Sequence, residues 1–264
     1  MKYNNNYSLQ NDKGNLNNYE NNFKSAFHEN YVIKTFYWNP NSINKYIKHA
    51  FVKEKDPDII CLTEPVIFKN YSGYINYHNK KKINDTRCYV SISIRRNIQQ
   101  QIIFNKNNFI LIKINNQFGT MFIGCIYLSS NRTNIKKKTF NSFQTEIKKL
   151  IRMYYNPKIV IYGDFNTDLE KFNNGLLNSE QKRMMKRLLK YFKLWSPYRT
   201  FKHRNHNMNN NTSRLDWALS SNIDHKIYPN FLIIQKNISD HIAFNGKIYF
   251  NKENLKKKNM YYTK

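Results

Sequence analysis

Between residues 31 and 250 the chain alternates short apolar segments rich in Ile, Val, Tyr and Phe with polar stretches. Such runs, bounded by Asn, Asp, Gly or Pro, read as strands. They fall at 31–37, 58–62, 89–94, 109–114, 121–127, 158–162, 215–219, 231–234 and 242–250. Three segments, 43–52, 137–154 and 180–191, switch to a helical period. In the second, Phe140, Phe143, Ile147, Leu150 and Ile151 recur at steps of three and four. Strands interleaved with helices predict an α/β architecture in which two sheets pack face to face. There is no internal repeat and no Gly/Ser linker, so one domain over 31–251 is the simplest division.

The flanks differ. Residues 1–30 are polar and Asn-rich, with too little apolar surface to offset the entropy of ordering, and read as a disordered arm. Residues 252–264, with Lys256, Lys257 and Lys258, read as a basic tail. No run approaches the roughly 18 apolar residues that span a bilayer, and the first residues lack the apolar core of a signal peptide. The expectation is an intracellular protein, nuclear or cytoplasmic. Cys61, Cys88 and Cys125 are odd in number, far apart and set in apolar segments, the pattern of buried free thiols in a reducing compartment.

Charge narrows the class of partner. Lys and Arg number 44 against 17 Asp and Glu, a formal net charge of +27. Such an excess suits a polyanion, either nucleic acid or an anionic membrane surface. The abundance of Asn and Ile and the scarcity of Ala are those of AT-rich coding, which also supplies Lys at neutral surface positions; part of the charge is therefore compositional.

In so basic a chain the placement of acids is informative. Asp164 ends the apolar run 159–162 after Gly163 and precedes Phe165-Asn166. Glu64 ends Pro57-Asp58-Ile59-Ile60-Cys61-Leu62-Thr63, Asp216 opens another apolar run after Arg214, and Asp240-His241 opens the last strand. Carboxylates at the carboxyl ends of central strands face the crevice where α/β sheets bind ligands. Each alone also reads as a turn residue, helix cap or solvated loop acid. Converging, four acids and a histidine would suit a hard divalent cation that takes oxygen ligands.

In this order the motifs resemble the exonuclease-endonuclease-phosphatase superfamily, whose members include abasic-site endonucleases, DNase I and the endonuclease domains of non-LTR retrotransposons. The matching residues are Trp38-Asn39, Pro57 to Glu64, Ile126-Tyr127, Gly163-Asp164-Phe165-Asn166, Ser213-Arg214-Leu215-Asp216 and Ser239-Asp240-His241. The resemblance implies a DNase I-like four-layered sandwich, two facing mixed β-sheets with outer helices, and the site at one end. It implies Mg²⁺, with Mn²⁺ as a substitute, held by Glu64 with Asn39 and Asp240 beside it. Asp164 would orient or deprotonate the attacking water and Asn166 would bond the scissile phosphate. His241 would meet the charge growing on the phosphoryl oxygens, with Asp216 fixing its tautomer.

Position 127 speaks to the branch. Lipid-cleaving and DNase I-like members carry a second catalytic His there, whereas Tyr127 resembles the abasic-endonuclease and retrotransposon branch, in which the hydroxyl contacts the phosphate. Thr200, Phe201, Arg214 and Asn131 would line the substrate groove. Three positions depart from the family pattern: Ser213 replaces an aromatic that encloses a baseless sugar, Pro40-Asn41 lacks a second acid, and Tyr127-Leu128-Ser129-Ser130 lacks a Pro. The basic loop 202–213 stands where relatives insert a hairpin into DNA, and its His203 and His206 read as solvated. The implied activity is a Mg²⁺-dependent phosphodiesterase that nicks DNA to leave a 3′-hydroxyl and a 5′-phosphate. An RNA-processing nuclease, a phosphoinositide phosphatase with the same site and an idle nucleic-acid-binding module are the alternatives.

Overall fold

The computed structural model of the chain describes residues 31–43, 46–67, 70–80, 87–130, 133–195, 201–202, 212–230 and 239–250. In chain order its elements are β1 (Tyr31–Trp38), α1 (Tyr46–Glu54), β2 (Ile59–Ile67), β3 (Tyr74–Lys80), β4 (Arg87–Arg95), β5 (Gln99–Lys106), β6 (Phe109–Asn116), β7 (Gly119–Tyr127), α2 (Thr133–Met153), β8 (Lys158–Asp164), α3 (Leu169–Asn173), α4 (Ser179–Leu189), β9 (Lys193–Trp195), β10 (Phe201–Lys202), β11 (Thr212–Ser213), β12 (Asp216–Ser221), β13 (Asp224–Asn230) and β14 (Ala243–Phe250). They build two six-stranded sheets, ordered β13-β14-β1-β2-β4-β3 and β5-β6-β7-β8-β12-β9, and a small β10-β11 pair.

Each large sheet is mixed. The pairs β1/β2 and β7/β8 are parallel, and each is bridged by a helix, α1 or α2, as a parallel crossover requires. The strands around them are antiparallel. Alternation along β1 shows how the layers are filled. Phe36 and Trp38 join Ile43, Phe51, Val52, Ile60 and Leu62 in a core beneath α1. Tyr37, between them, turns the other way and stacks on Tyr162 of β8, centroids 5.8 Å apart, across the sandwich. On the far side Phe109, Leu111, Phe122, Ile159 and Ile161 form a second core with Phe140, Phe143, Ile147 and Leu150 of α2 and Met184, Met185 and Leu188 of α4.

Ile151, expected on the buried stripe of α2, is 37% exposed; the apolar face of that helix ends at Leu150. Helix α2 starts four residues before the expected 137, α1 starts three after the expected 43, and β2 runs on to Ile67 through a bulge. Strands β3, β5, β9 and β13 and the two-residue β10 and β11 have no counterpart among the expected elements. The first four are sheet edges, where one row of side chains meets water, so polar sequences such as QQQIIFNK serve without an apolar run. The arm 1–30, the tail 252–264 and the segment 231–234 lie outside the described residues. The three cysteines are buried and take part in no disulfide among the described residues, and no helix among the described residues is long and apolar enough to cross a membrane.

Candidate active site

The parallel pairs bring the carboxyl ends of β1, β2, β7 and β8 to one end of the sandwich. Antiparallel β12 starts there, because Asp216 pairs with Asp164 at the end of β8, and Tyr127 pairs with Asp164 from the other side. Gly163 makes the β7–β8 approach possible. A Cβ at that position would lie 2.5 Å from the Ile126 carbonyl oxygen, a contact no side chain can relieve.

Glu64 owes its direction to a break in pairing. The register of β2 against β4 shifts between Thr63 and Val66, with Glu64 at φ 48° and Val66 at φ 59°. A bulge of this kind re-aims a side chain at a sheet end. The Ser42 N–H donates to the Glu64 carbonyl (2.8 Å) and the Ile43 N–H to that of Pro65 (2.9 Å), fastening the bulge to the chain after β1.

Asn39 is the clamp between the two sheets. Its Nδ2 donates to Glu64 Oε2 and to Asp164 Oδ2, both at 3.0 Å, while its Oδ1 accepts the Asn41 N–H. The Tyr127 hydroxyl donates to Glu64 Oε1 at 2.5 Å, and its ring stacks on Tyr89. Asp164 Oδ1 accepts the Asn166 N–H (2.9 Å) across a left-handed turn, Asn166 φ 43°, a conformation that Asn tolerates. Lys136, near the start of α2, donates to the Asn166 carbonyl (2.8 Å) and to Thr167 Oγ1 (3.2 Å), holding that turn from outside.

Asp216 is fully buried and doubly engaged. Tyr37 donates its hydroxyl to Oδ1 at 2.6 Å, and His241 Nδ1 lies 2.7 Å from Oδ2. The His241 backbone is fixed as well: its carbonyl accepts from Trp38 Nε1 and its N–H donates to Ser239 Oγ, which donates to the Asn39 carbonyl. An imidazole held by a buried carboxylate at Nδ1 presents Nε2 to whatever enters the site.

The electrostatics carry a surplus of negative charge. Burial, with Asp216 and Glu64 adding to it, pushes the Asp164 carboxyl up to about 8, although His241 and the Asn166 N–H pull the other way. Burial alone would lower His241, but Asp216, Asp164 and Asp240 raise it to about 9. The Tyr37 and Tyr127 hydroxyls are pushed up by burial and by the facing carboxylates. Burial lowers the Lys136 ammonium against the attraction of Asp164 and Glu180. Ligand atoms of Asp164, Asp216 and His241 all lie within 4.8 Å of one another. A carboxyl that holds its proton this far above the ordinary range, among other carboxylates and without a sulfur ligand, fits a hard divalent cation.

The structure thus gathers Asn39, Glu64, Tyr127, Asp164, Asn166, Asp216 and His241 in one hydrogen-bonded cluster. Asp240, partly exposed, lies next to it in the chain and acts on His241. Arg214 holds the adjoining turn, its N–H donating to Asp168 Oδ1 and its carbonyl accepting from Trp217 Nε1. Thr200, Asn131, His203 and His206 lie outside the described residues, and Phe201 is described only in its backbone, which pairs with Ser213. Two contributors, Tyr37 and Lys136, were not singled out in the sequence. The signal for Tyr37 was there: it alternates with Phe36 and Trp38 and so had to face the other sheet.

Residues 121–244 match the family model described as endonuclease-reverse transcriptase. None of the curated proteins matches the sequence. Among solved structures the chain is similar to the endonuclease domain of TRAS1, a telomere-specific non-LTR retrotransposon, with 14% identity, TM-score 0.64, and 82% of this chain and 98% of that one covered. It is similar too to the Xenopus laevis APE2 catalytic domain (14%, TM-score 0.61, 82% and 91% covered) and to the AP endonuclease LMAP from Leishmania major (12%, TM-score 0.58, 83% and 88%). At these identities the structures speak for the fold, two facing mixed sheets with outer helices, and the matched segment, which contains Tyr127, Asp164, Asn166, Asp216 and His241, speaks for kinship. The chain thus shares the fold of these structures, and its segment 121–244 resembles the endonuclease-reverse transcriptase family.

Proposed function

We propose that the protein is a divalent-metal-dependent phosphodiesterase that nicks DNA and leaves a 3′-hydroxyl and a 5′-phosphate. The observation that carries this reading is the buried His241–Asp216 pair standing beside Asp164, which Asn39 ties to Glu64. Hydrolysis of a phosphodiester needs charge neutralisation at the non-bridging oxygens, an aligned water and help for the leaving oxygen. Glu64, Asn39 and Asp240 would hold the cation, Mg²⁺ or Mn²⁺, which would supply neutralisation of phosphoryl charge. Asp164, once ionised above about pH 8 or beside a cation that offsets the surrounding negative charge, aligns the attacking water and accepts its proton. His241, held protonated and oriented by Asp216, donates from Nε2 to a phosphoryl oxygen, and Asn166 bonds another.

Tyr127 at the end of β7, in place of a second histidine, supports a nucleic-acid substrate, as does the net charge of +27. Two of the similar structures are endonucleases, which supports the same reading. The test is incubation of purified protein with supercoiled plasmid in Mg²⁺, with EDTA and Asp164→Ala as controls. Nicking abolished by both is the expected result. Absence of nicking alongside hydrolysis of a structured RNA or a phosphoinositide would overturn the DNA assignment; hydrolysis of none would overturn the enzymatic one.

A further inference from the structure

The two long helices that cover the β5-to-β9 sheet, α2 and α4, are much more basic than the rest of the molecule. Across residues 133–153 and 179–190, eleven of 33 residues are Lys or Arg and two are Glu, twice the density of the whole chain. The covering of the other sheet is different: residues 46–58, with α1, hold three Lys against Glu54, Asp56 and Asp58. Coding bias enriches lysine without regard to which face of a fold it lands on, so it does not account for this asymmetry.

On α4 the charge is also ordered. Lys182, Arg183, Lys186, Arg187 and Lys190 share one face, opposite the buried Met184, Met185 and Leu188. Three of their pairings are like charges four residues apart, each of which weakens a helix. The row spans about 12 Å, three to four phosphate steps along one strand of a duplex. Arg187 Nη1 reaches Gln144 Oε1 of α2 at 3.4 Å, joining the two helices into one surface. Near the start of α2 that surface runs into the candidate site through Lys136, bonded to the turn after Asp164.

We infer that the outer face of α4, with the adjoining part of α2, is a second binding surface for a nucleic-acid backbone, taking the stretch that leads away from the scissile phosphate. This rests on the nuclease reading above. The surface reads no bases; it replaces condensed counterions, relieves the repulsion along α4 and lengthens the footprint of the enzyme on a long substrate.

The test compares the full chain with Arg183→Glu/Lys186→Glu/Lys190→Glu, with the milder Arg183→Gln/Lys186→Gln/Lys190→Gln in case reversal impairs folding, and with Lys34→Glu/Lys53→Glu/Lys247→Glu as an equal change of net charge elsewhere. Binding to a duplex of about 40 base pairs, binding to one of about 12, and nicking of each are measured separately over a salt series. The α4 variants should weaken binding to the long duplex at least about tenfold and flatten its salt dependence by about three contacts, leaving nicking of the short one within about twofold. The control variant should do neither. Equal losses in all variants, or wild-type binding by the α4 variants, overturn the inference while nicking stands. Tight binding that depends on α4 without any nicking keeps the surface and removes the nuclease reading; a chain that binds no duplex removes both.

Discussion

Asp164 and Asp216 are direct register partners across the antiparallel β8–β12 pair, two buried carboxylates facing each other at the site end of the sandwich. Like charges placed directly opposite in a sheet are destabilising. The protein answers with the Tyr37 hydroxyl and the His241 imidazole on Asp216, and with the Asn39 amide and the Asn166 N–H on Asp164. What they leave over is the negative charge that a cation would meet.

The first expectation concerns that charge. Folded His241 keeps its proton to about pH 9 against an ordinary 6.5, so stability from its pairing is complete below 6.5 and lost as the pH rises through 9. Asp164 holds a proton to about 8 against an ordinary 3.8, so its ionisation costs stability progressively from about pH 4 to 8. Both slopes have the same sign. In EDTA the melting temperature should fall from pH 6 to 9, and Asp164→Asn should flatten the portion below 8. A profile that rises with pH contradicts this.

Cation addition should reverse that fall. A ligand that binds only the folded state at a hundredfold excess over Kd adds about 2.7 kcal/mol. Mg²⁺ or Mn²⁺ should therefore raise the melting temperature, and by more at pH 8 than at pH 6, where protonated Asp164 competes. Differential scanning calorimetry with and without EDTA checks it; Ca²⁺-free buffer giving no Mg²⁺ effect at either pH would count against a cation at this site.

Asp216→Asn should keep the fold and lower kcat by about a hundred- to ten-thousandfold, because an amide favours the wrong imidazole tautomer. Tyr37→Phe removes one donor from the same carboxylate and touches no substrate. It should cost about 1–3 kcal/mol of stability and much less activity. The pair is checked by urea melts alongside single-turnover nicking, and equal activity losses would place Tyr37 nearer the reacting atoms.

Tyr127→Phe withdraws the hydroxyl that bonds Glu64. A hydrogen bond to a charged group contributes about 1.5–3 kcal/mol, so kcat/KM should fall about ten- to hundredfold and the Mg²⁺ requirement should rise. An activity loss with an unchanged Mg²⁺ titration would assign the hydroxyl to the substrate instead.

Gly163→Ala is the structural counterpart. Its Cβ meets the Ile126 carbonyl at 2.5 Å, and overpacking against backbone costs about 1–3 kcal/mol or more. The melting temperature should drop and activity should go with it, since the residue that moves next is Asp164. An unaltered melt would show that β7 and β8 separate more readily than their contact suggests.

The readable part of the molecule was the part where physics repeats. Central strands are buried on both faces, so 121–127 and 159–162 were unbroken apolar runs, and an acid at the end of such a run, as at Asp164, had few reasons to be there. Edge strands gave no such run: β5, with QQQ at its start, is exposed along one row. Asn39 was legible as a polar neighbour of the site, while its grip on two carboxylates from opposite sheets depends on a bulge at Glu64 that no local pattern announces. Tyr37 was hidden by company, one of 20 tyrosines in the chain. Lys136 was hidden among Lys137 and Lys138, and only the packing of α2 on the turn after Asp164 separates them.

Asn39, Glu64 and His241 belong to one sheet's side of the sandwich and Tyr127, Asp164 and Asp216 to the other, while in the chain the six are interleaved from residue 39 to residue 241. During synthesis, then, every earlier group waits for the last, and the imidazole is delivered only when nearly all of both sheets has been made. On the proposed reading a fragment ending before His241 should not cut, and the site is complete only with the closing of the sandwich itself.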